Sequence, residues 1–594
     1  MSPLETGKMK EIAVNLLAQA AQSLQQQGLL ADFSAEQVSV ERTRDASHGD
    51  FASNLAMKLA KQARCNPREL AQKLVDLIPV DGQLEKIEIA GPGFINFYFG
   101  KSAYLDLIDV IRKAKGHYGH CTVGQGKSVM VEFVSTNPTG PLHVGHGRGA
   151  AYGDALARVL SAAGYTTYSE YYINDAGRQM DILALSVWLR YLEYSGQLIS
   201  FPANAYQGVY IKDVAQLLFE SHGDLFSLDS ASLFLDLNED PERSIDQLIS
   251  RCKESLGETD YRLVFDAACY SQVEDIKQDL AEFGVRFDNW FSERSLVENG
   301  DIAESIRKLE ENGYMYEKEG AKWFRSTEFD DEKDRVVVRA NGVHTYFASD
   351  IAYHYNKAER GFDQIINIFG SDHHGYIKRI YASFKALGND PERLKFLLVQ
   401  FAILYRGNQK VSMSTRGGEF VTLRELREEV GNDAARFFYV LRKPDQHMDF
   451  DLDLAKTQSS ENPVFYIQYA HARICSVFRQ LEEKGLQTLE GTNPDCSLLI
   501  EPQEMELLKI LSRFPEVVEL AAATYEPHQI AYYLRDLANS FHTYYNAHPF
   551  LSSEEALRLA RLGLIDATRK VIFSGLDMLG VSAPESMYQS VQTE

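Results

Sequence analysis

The chain has 594 residues, and 61 Lys plus Arg against 84 Asp plus Glu leave a formal net charge of −23. Hydrophobic residues at 45% and charged residues at 24% are ordinary globular usage, which excludes a disordered or fibrous chain; at about 150 residues per domain the length suggests about three or four domains. No run approaches the ~18 apolar residues that span a bilayer, and the acidic total excludes indiscriminate coating of nucleic acid while leaving room for a locally basic groove.

The six cysteines, Cys65, Cys121, Cys252, Cys269, Cys475 and Cys496, lie far apart with no CxxC pair. That spacing argues for a reducing compartment and against a disulfide framework or a Cys-built zinc site. Residues Met1 to Glu5 lack the charged-then-apolar plan of a signal peptide. A large cytoplasmic enzyme is expected.

In chain order, Met9, Ile12, Ala13, Leu16, Leu17 and Ala20 recur at helical spacing. Asp50 or Ser53 is a cap for a short helix through Leu59, and Asn66-Pro67 pairs an N-cap with proline at the first helical position. Residues 87–99 read as two strands joined by Gly91-Pro92-Gly93, so 1–115 is expected to be a compact α+β domain. The polar, glycine-containing stretch 113–120 reads as a linker. Alternation of strands and helices then begins, the pattern of a parallel α/β sheet: strands over 129–134 and 166–173, and a helix over 150–163 between them. Residues 185–300 are mostly helical patterns and read as an insertion. Further strands are predicted over 336–339, 344–347, 364–369 and 396–404, which makes 120–460 one α/β domain. From Asn462-Pro463 onward, 461–594 reads as all-helical, with Phe465, Tyr466, Tyr469, Tyr533, Phe541 and Tyr544 on apolar faces and the last helix ending at Gly580. The expected fold class is multidomain α/β.

The chemistry is concentrated where strand 129–134 runs into Asn137-Pro138-Thr139-Gly140-Pro141-Leu142-His143-Val144-Gly145-His146 and opens a helix. Such junctions lie at the carboxyl edge of an open α/β sheet, where ligands bind. A helix N-terminus offers free backbone N–H groups to phosphate, and His143 and His146 add hydrogen-bond donors there. Gly145, lacking a side chain, leaves room for a base or ribose. Two imidazoles three apart are also a partial metal site, but no third ligand lies nearby and no HExxH spacing exists.

His143-Val144-Gly145-His146 after a strand resembles the HIGH motif of class I aminoacyl-tRNA synthetases. With Asn137-Pro138-Thr139-Gly140-Pro141-Leu142 before it and Glu170-Tyr171-Tyr172-Ile173-Asn174-Asp175-Ala176-Gly177 after it, the stretch is similar to the arginyl-tRNA synthetase family in particular. The second signature, Lys410-Val411-Ser412-Met413-Ser414-Thr415-Arg416, resembles the KMSKS loop in its Met413-Ser414 core, but Ser412 and Thr415 stand where the family's lysines belong. Lys410 or Arg416 is then required to supply the positive charge on the ATP phosphates.

A guanidinium carries five N–H donors and cannot be deprotonated, so its pocket needs carboxylates. Glu132 is a lone acid in an apolar strand, and Asp350 follows a strand-like run. The resemblance implies that Glu132 and Asp350 hold the guanidinium, that Tyr346 packs over it, and that Asn137 and Ser135 meet the α-groups of arginine. Asp350 also reads as a helix N-cap, and Glu132 as an exposed edge residue. The loop Gly370-Ser371-Asp372-His373-His374-Gly375 ends another strand; Asp372 is placed for ribose hydroxyls, and His373 or His374 for adenine or arginine. Together with Gly140, Pro141, Leu142 and Gly145, Gly370 is expected to line the nucleotide pocket.

For RNA, Arg42 and Arg44 precede Gly49-Asp50-Phe51-Ala52-Ser53-Asn54, a stretch similar to one in the family's N-terminal domain, which reaches the tRNA corner. Tyr466, Tyr469 and Arg473 share a helix of the expected anticodon-binding domain, where exposed aromatics stack on splayed bases; Arg558, Arg561, Arg569 and Lys570 lie on the last helix. The resemblance implies a monomer that uses ATP with Mg²⁺ to activate L-arginine as its adenylate and then charge tRNA(Arg), with no structural metal and with tRNA present before activation. A small-molecule nucleotidyltransferase and a non-catalytic RNA-binding relative are the competing readings.

Overall fold

The computed structural model describes residues 9–43, 45–80, 83–411 and 421–587. Its central strand, Ser128–Glu132, is buried along nearly its whole length because helices cover both faces, as strands of a parallel sheet require. The five-stranded sheet runs Leu394–Val399, Gln364–Gly370, Ser128–Glu132, Thr166–Ile173, Asn289–Ser292, and every neighbouring pair is parallel. In chain order this is 5-4-1-2-3, a doubly wound order that reverses between Ser128–Glu132 and Gln364–Gly370. The carboxyl ends of those two strands therefore border the crevice where such sheets take ligands.

Several elements differ from the sequence reading. The strand predicted over 129–134 stops at Glu132, since Val134 and Ser135 turn at φ 69° and 43°. The helix predicted over 150–163 starts six residues earlier, as Val144–Ala162, because His143 caps it. Residues 344–347 are not a strand. His344 makes only one bridge to Val338, Thr345 turns its hydroxyl onto the carbonyls of Val336 (2.9 Å) and Val337 (3.2 Å), and Tyr346–Glu359 is a helix whose buried face includes Phe347, Ala348, Ile351 and Ala352. An aromatic and β-branched run has strand composition, but the 3.6 period that follows it decides.

The strand predicted over 396–404 is two strands, Leu394–Val399 and Ala402–Arg406. Gln400 leaves the ladder and bonds Pro444 O at 2.8 Å, and Ala402–Arg406 joins a separate small sheet with Gln409–Lys410 and Met448–Asp451. Within 185–300 lie the helices Val209–His222 and Pro241–Glu282, the latter bent at Gly257, but also the edge strand Asn289–Ser292. Met315–Lys318 and Ala321–Phe324, absent from the sequence reading, pair with Arg335–Val338 in an antiparallel sheet.

Toward the N-terminus a four-stranded antiparallel sheet, Val40–Arg42, Phe51–Ser53, Phe94–Phe99, Leu84–Ala90, packs with helices Met9–Gln26 and Pro67–Val75. Asn66 caps as expected, accepting from Arg68 N at 2.9 Å. Asn54, not Asp50 or Ser53, holds the cap position of Leu55–Leu59, although the Ser53 hydroxyl accepts from Leu55 N. The Gly49–Asn54 stretch has a structural duty: at φ 81° a Cβ on Gly49 would lie 2.5 Å from Phe97 O, and Asp50 accepts from Phe99 N (2.8 Å) and the Tyr104 hydroxyl. The predicted linker 113–120 is docked: Tyr118 is buried against Phe514 and reaches Leu511 O at 3.3 Å.

The remaining helices, Pro463–Glu483, Pro502–Ser512, Phe514–Thr524, His528–Ala547 and Glu555–Met578, form an all-α layer. One buried guanidinium ties it to the sheet. Arg436 meets Asp154 of helix Val144–Ala162, Leu579 O just past the last helix at 3.3 Å, and Phe283 O at 3.0 Å. A Cβ on Gly580 would sit 2.0 Å from that guanidinium. No helix among the described residues is long and apolar enough to cross a membrane.

Candidate active site

His143 and His146 occupy the crevice as a locked pair. His143 Nδ1 accepts from Gly145 N at 3.1 Å, and His146 Nδ1 accepts from His143 N at 3.3 Å. The rings stack with centroids 3.5 Å apart. A neutral imidazole that accepts at Nδ1 carries its hydrogen on Nε2, so each ring offers an N–H donor at the helix mouth. Burial lowers His143, and burial plus the neighbouring His143 pushes His146 down to about 3. Both shifts favour the neutral rings near pH 7, a state compatible with the hydrogen-bond donors expected from sequence. Gly145 also differs from that reading: the space its Cβ would take is filled by the His143 ring (2.8 Å) and Phe401 (3.1 Å), not left for a base or ribose.

The flanks of the second signature reach the same turn. Val144 N donates to Val421 O (3.0 Å), Leu423 N donates to Leu142 O (2.8 Å), and His143 bridges Thr422. At the other flank, Lys410 is exposed on a short strand paired with Tyr405. Met413, Ser414 and Arg416 lie outside the described residues. Leu142 is buried, Gly140 half-buried and Pro141 exposed. Gly370 ends its strand beside Asp372, which is exposed, as is His373. The side chain of His374 lies outside what is described.

The acids form a second cluster at the carboxyl ends of the strands. Glu132 is buried and is not lone. The fully buried Lys357 ammonium bonds it and also Asn367 Oδ1 at 2.6 Å, while Ser135 Oγ donates to it at 2.9 Å. That pairing corrects both the unpaired and the exposed-edge readings. Ser135 also accepts from Tyr172 N at 3.1 Å, which helps hold the strained turn at Val134 and Ser135. Asp350 is the fifth residue of helix Tyr346–Glu359, so it is not an N-cap; Thr345 is. It accepts from the Tyr376 hydroxyl. Burial raises it to about 6, the Tyr376 bond opposing and the negative Glu132 nearby adding. The two acids separated by 218 positions thus share one electrostatic neighbourhood. Asn137 is exposed and held between Gln179 (2.5 Å) and Asn174 (2.9 Å), and the exposed Tyr346 hydroxyl borders Gly177.

Two further residues here escaped the sequence reading. Lys357 pairs across 225 positions, beyond any local pattern. Glu293 begins the short helix after the edge strand Asn289–Ser292. It is 6% exposed, and its Oε2 has no hydrogen-bond partner. Burial raises it to about 7, with the Ser349 and Tyr172 hydroxyls opposing and Asp350 and Asp175 adding. An acid directly after a strand at the ligand edge was the available signal, hidden because the region reads as helical. Among the described residues no group of three or more His, Cys, Asp or Glu is arranged to hold a metal ion.

Of the expected RNA contacts, Arg42 is turned inward: its fork meets Glu516 at 3.0 and 2.7 Å and lies over Phe51. Arg44 lies outside the described residues. Tyr466, Tyr469 and Arg473 are brought together. Both rings contact His542, Tyr469 stacks on Phe465, and Arg473 covers Tyr545 at 3.9 Å. Arg558 and Arg561 are buried, Arg561 against Glu504.

Comparison with known proteins covers most of the chain. Residues 11–99 match the family model for the arginyl tRNA synthetase N terminal domain, 108–451 that for tRNA synthetases class I (R), catalytic domain, and 467–587 that for the DALR anticodon binding domain. An arginine–tRNA ligase of Thioalkalivibrio sulfidiphilus is 57% identical over 98% of this chain and 100% of its own length. A solved structure of a putative arginyl-tRNA synthetase from Campylobacter jejuni is 32% identical, with TM-score 0.68 over 82% of this chain and 100% of that one. The arginyl-tRNA synthetase of Thermus thermophilus, 24% identical, shares the fold at TM-score 0.71 over 97% of this chain and 100% of that one.

Proposed function

The chain belongs to the arginyl-tRNA synthetase family and is an arginine–tRNA ligase, and we propose that its crevice seats ATP on the histidine turn and arginine on the acid cluster. The ligase activates L-arginine with ATP and transfers the arginyl group to tRNA(Arg). In the first step a carboxylate oxygen of arginine attacks the α-phosphorus, the bond to the bridging oxygen breaks, and pyrophosphate leaves. In the second, a terminal ribose hydroxyl attacks the acyl carbon and AMP leaves. A small-molecule nucleotidyltransferase or a non-catalytic relative is not favoured, given a full-length match to ligases at 57% identity.

Little covalent chemistry falls to the protein; positioning and stabilisation of phosphate charge do the catalysis. The Nε2–H donors of His143 and His146 and the amides of the helix mouth meet the phosphates, with Gly140, Pro141, Leu142 and Gly145 shaping the turn around them. Lys410 or Arg416 supplies the positive charge, with Met413 and Ser414 between them in sequence, and Mg²⁺ would accompany ATP, bound mostly through phosphates and waters. Gly370, Asp372 and His373 border the ribose and adenine. Asp350 and Glu132 hold the guanidinium under Tyr346, while Asn137, Ser135 and His374 serve the rest of arginine. Tyr466, Tyr469 and Arg473 offer a stacking surface to the anticodon loop. Arg42, engaged with Glu516, is better suited to docking the N-terminal unit than to reaching RNA. These duties divide over units 1–115, 120–460 with its insertion at about 185–300, and 461–594, in a monomeric cytoplasmic protein.

One observation carries the reading: the backbone ladder through Val421, Thr422 and Leu423 ties the flank of the altered loop to the histidine turn. The test is charging of tRNA by the purified chain, with lysine and citrulline as controls. Charging that depends on arginine alone supports it, and charging with citrulline at equal efficiency overturns the acid-pocket assignment.

A further inference from the structure

The turn Ser371–Tyr376 follows the carboxyl end of strand Gln364–Gly370, with Asp372 and His373 exposed on it. Its first residue is pinned, Ser371 Oγ donating to Gln400 Oε1 at 2.9 Å. Its last residue serves the acid cluster instead: the Tyr376 hydroxyl donates to Asp350 Oδ2, the one hydrogen bond that the described residues give this carboxylate. The tyrosine ring is held in turn by Arg379, whose guanidinium lies over it at 4.5 Å. Burial and the charge of Asp350 raise the phenol above its ordinary 10, so it stays a donor at any working pH. A hydrogen bond to the charged form of an acid favours that form, and this one opposes the burial that raises Asp350 to about 6.

We propose that Tyr376 is a positioning residue for arginine: from a turn otherwise given to the nucleotide, its hydroxyl fixes the carboxylate of Asp350 through Oδ2 and leaves Oδ1 to the substrate guanidinium. The proposal rests on the seating of arginine at Asp350 and deepens it. The terminal torsion of an aspartate is broad by itself, while the pairing of a carboxylate with a planar guanidinium depends on orientation, so the plane has to be set by a partner. The groups facing Asp350 come from every neighbouring element: Glu132 from the central strand, Tyr172 from Thr166–Ile173, Glu293 from the short helix after the edge strand, Arg379 from helix Ile377–Ala386, and Lys357 and His354 from its own helix. Lys357 is bonded to Glu132 and Asn367, and His354 to the backbone oxygen of Asp350 at 2.9 Å, so neither replaces the hydroxyl of Tyr376.

The test is a double-mutant cycle in the full chain: Tyr376→Phe, which keeps the ring, Asp350→Asn, and the two together. Each is read as tRNA charging with arginine and ATP varied in turn, with melting temperature alongside. Tyr376→Phe is expected to raise the arginine KM about tenfold at neutral pH, the scale of one lost hydrogen bond to a charged group, with the ATP KM unchanged although the residue belongs to the nucleotide turn. The pH below which the arginine KM climbs moves up by about one pH unit, because Asp350 loses the donor that favours its ionised form. In the Asp350→Asn background the same change adds little, since residues acting through one another are not additive. An unchanged arginine KM in Tyr376→Phe beside a raised one in Asp350→Asn overturns the proposal and leaves the pocket standing. Unchanged values in both single variants remove the pocket, and the proposal with it. A raised ATP KM in Tyr376→Phe, or an effect on arginine that adds in full to that of Asp350→Asn, gives Tyr376 another role and overturns the proposal, as does a lowered melting temperature with both KM values unaltered.

Discussion

Two buried glutamates in this molecule have opposite surroundings. Glu504, in the helical layer, is fully buried and takes bonds from Arg561 Nε (3.0 Å), the Tyr544 hydroxyl (3.0 Å) and Glu501 N (2.9 Å). Glu293, at the ligand edge of the sheet, is nearly as buried, yet one oxygen is bare and the nearby charges that act on it are negative. The first is a finished structural joint. The second is an arrangement that folding alone does not explain, and its unsatisfied valence distinguishes it where burial does not.

The contrast can be broken from either side. The largest effect is expected for Glu504→Leu, which strands the Arg561 cation: stability should fall by about 3–5 kcal/mol, read by thermal or denaturant unfolding, with the arginine KM of the folded fraction unaltered. A loss below about 1 kcal/mol, the range of exposed pairs, would erase the distinction. Next, Asp350→Asn should raise the arginine KM by roughly 100-fold, about 2.7 kcal/mol, at constant ATP KM and without loss of melting temperature; an equal loss for ATP counts against a guanidinium role. His146→Ala should slow ATP–pyrophosphate exchange roughly 10- to 100-fold, the scale of one preorganised donor, with arginine affinity kept. Unaffected exchange removes His146 from the phosphate site.

The smallest effect concerns pH. Glu293 and Asp350 stand at about 7 and about 6 in the folded chain, against ordinary values of 4.5 and 3.8. Between roughly pH 4 and 7 the folded form therefore holds more protons than the unfolded one, so stability of the ligand-free protein declines as pH rises. The groups facing the pair are Asp175, Glu132, Tyr172, Ser349 and Tyr376, with Lys357 and Arg379 as the cations acting on Asp350. Melting temperatures across that window, with and without saturating arginine, sharpen the comparison: the ligand should flatten the decline by keeping both acids ionised, and Glu293→Gln should remove part of it. A decline equally steep with arginine bound would mean the cation does not meet these acids.

Much of the architecture was legible before the coordinates. Alternating patterns from Lys127 onward announced a parallel sheet, and the glycine- and proline-punctuated turn before His143 marked its ligand edge. Failures occurred where local composition and tertiary context disagree. Asn289–Ser292 is four residues long and follows the helical run Pro241–Glu282, so periodicity had no length to register it. Tyr346 and Phe347 have strand composition but begin a helix because Thr345 turns back on Val336 and Val337. Partners are harder still. Nothing in the neighbourhood of Glu132 announces Lys357, and nothing near Arg42 announces Glu516, because only folding brings residues 225 and 474 positions apart together. The protonation pattern of the histidine pair is likewise invisible in sequence, since it depends on which backbone amides each Nδ1 faces.

The guanidinium of Arg436 is a knot with three cords. It grips Asp154, on the same rod of backbone that begins at the histidine turn, and it also grips the tail of the final helix and the end of the long inserted one. Rotating the final helix means either cutting that knot or dragging the rod along with it. Whatever leans on the far helical layer is mechanically in touch with the crevice where His143 and His146 stand.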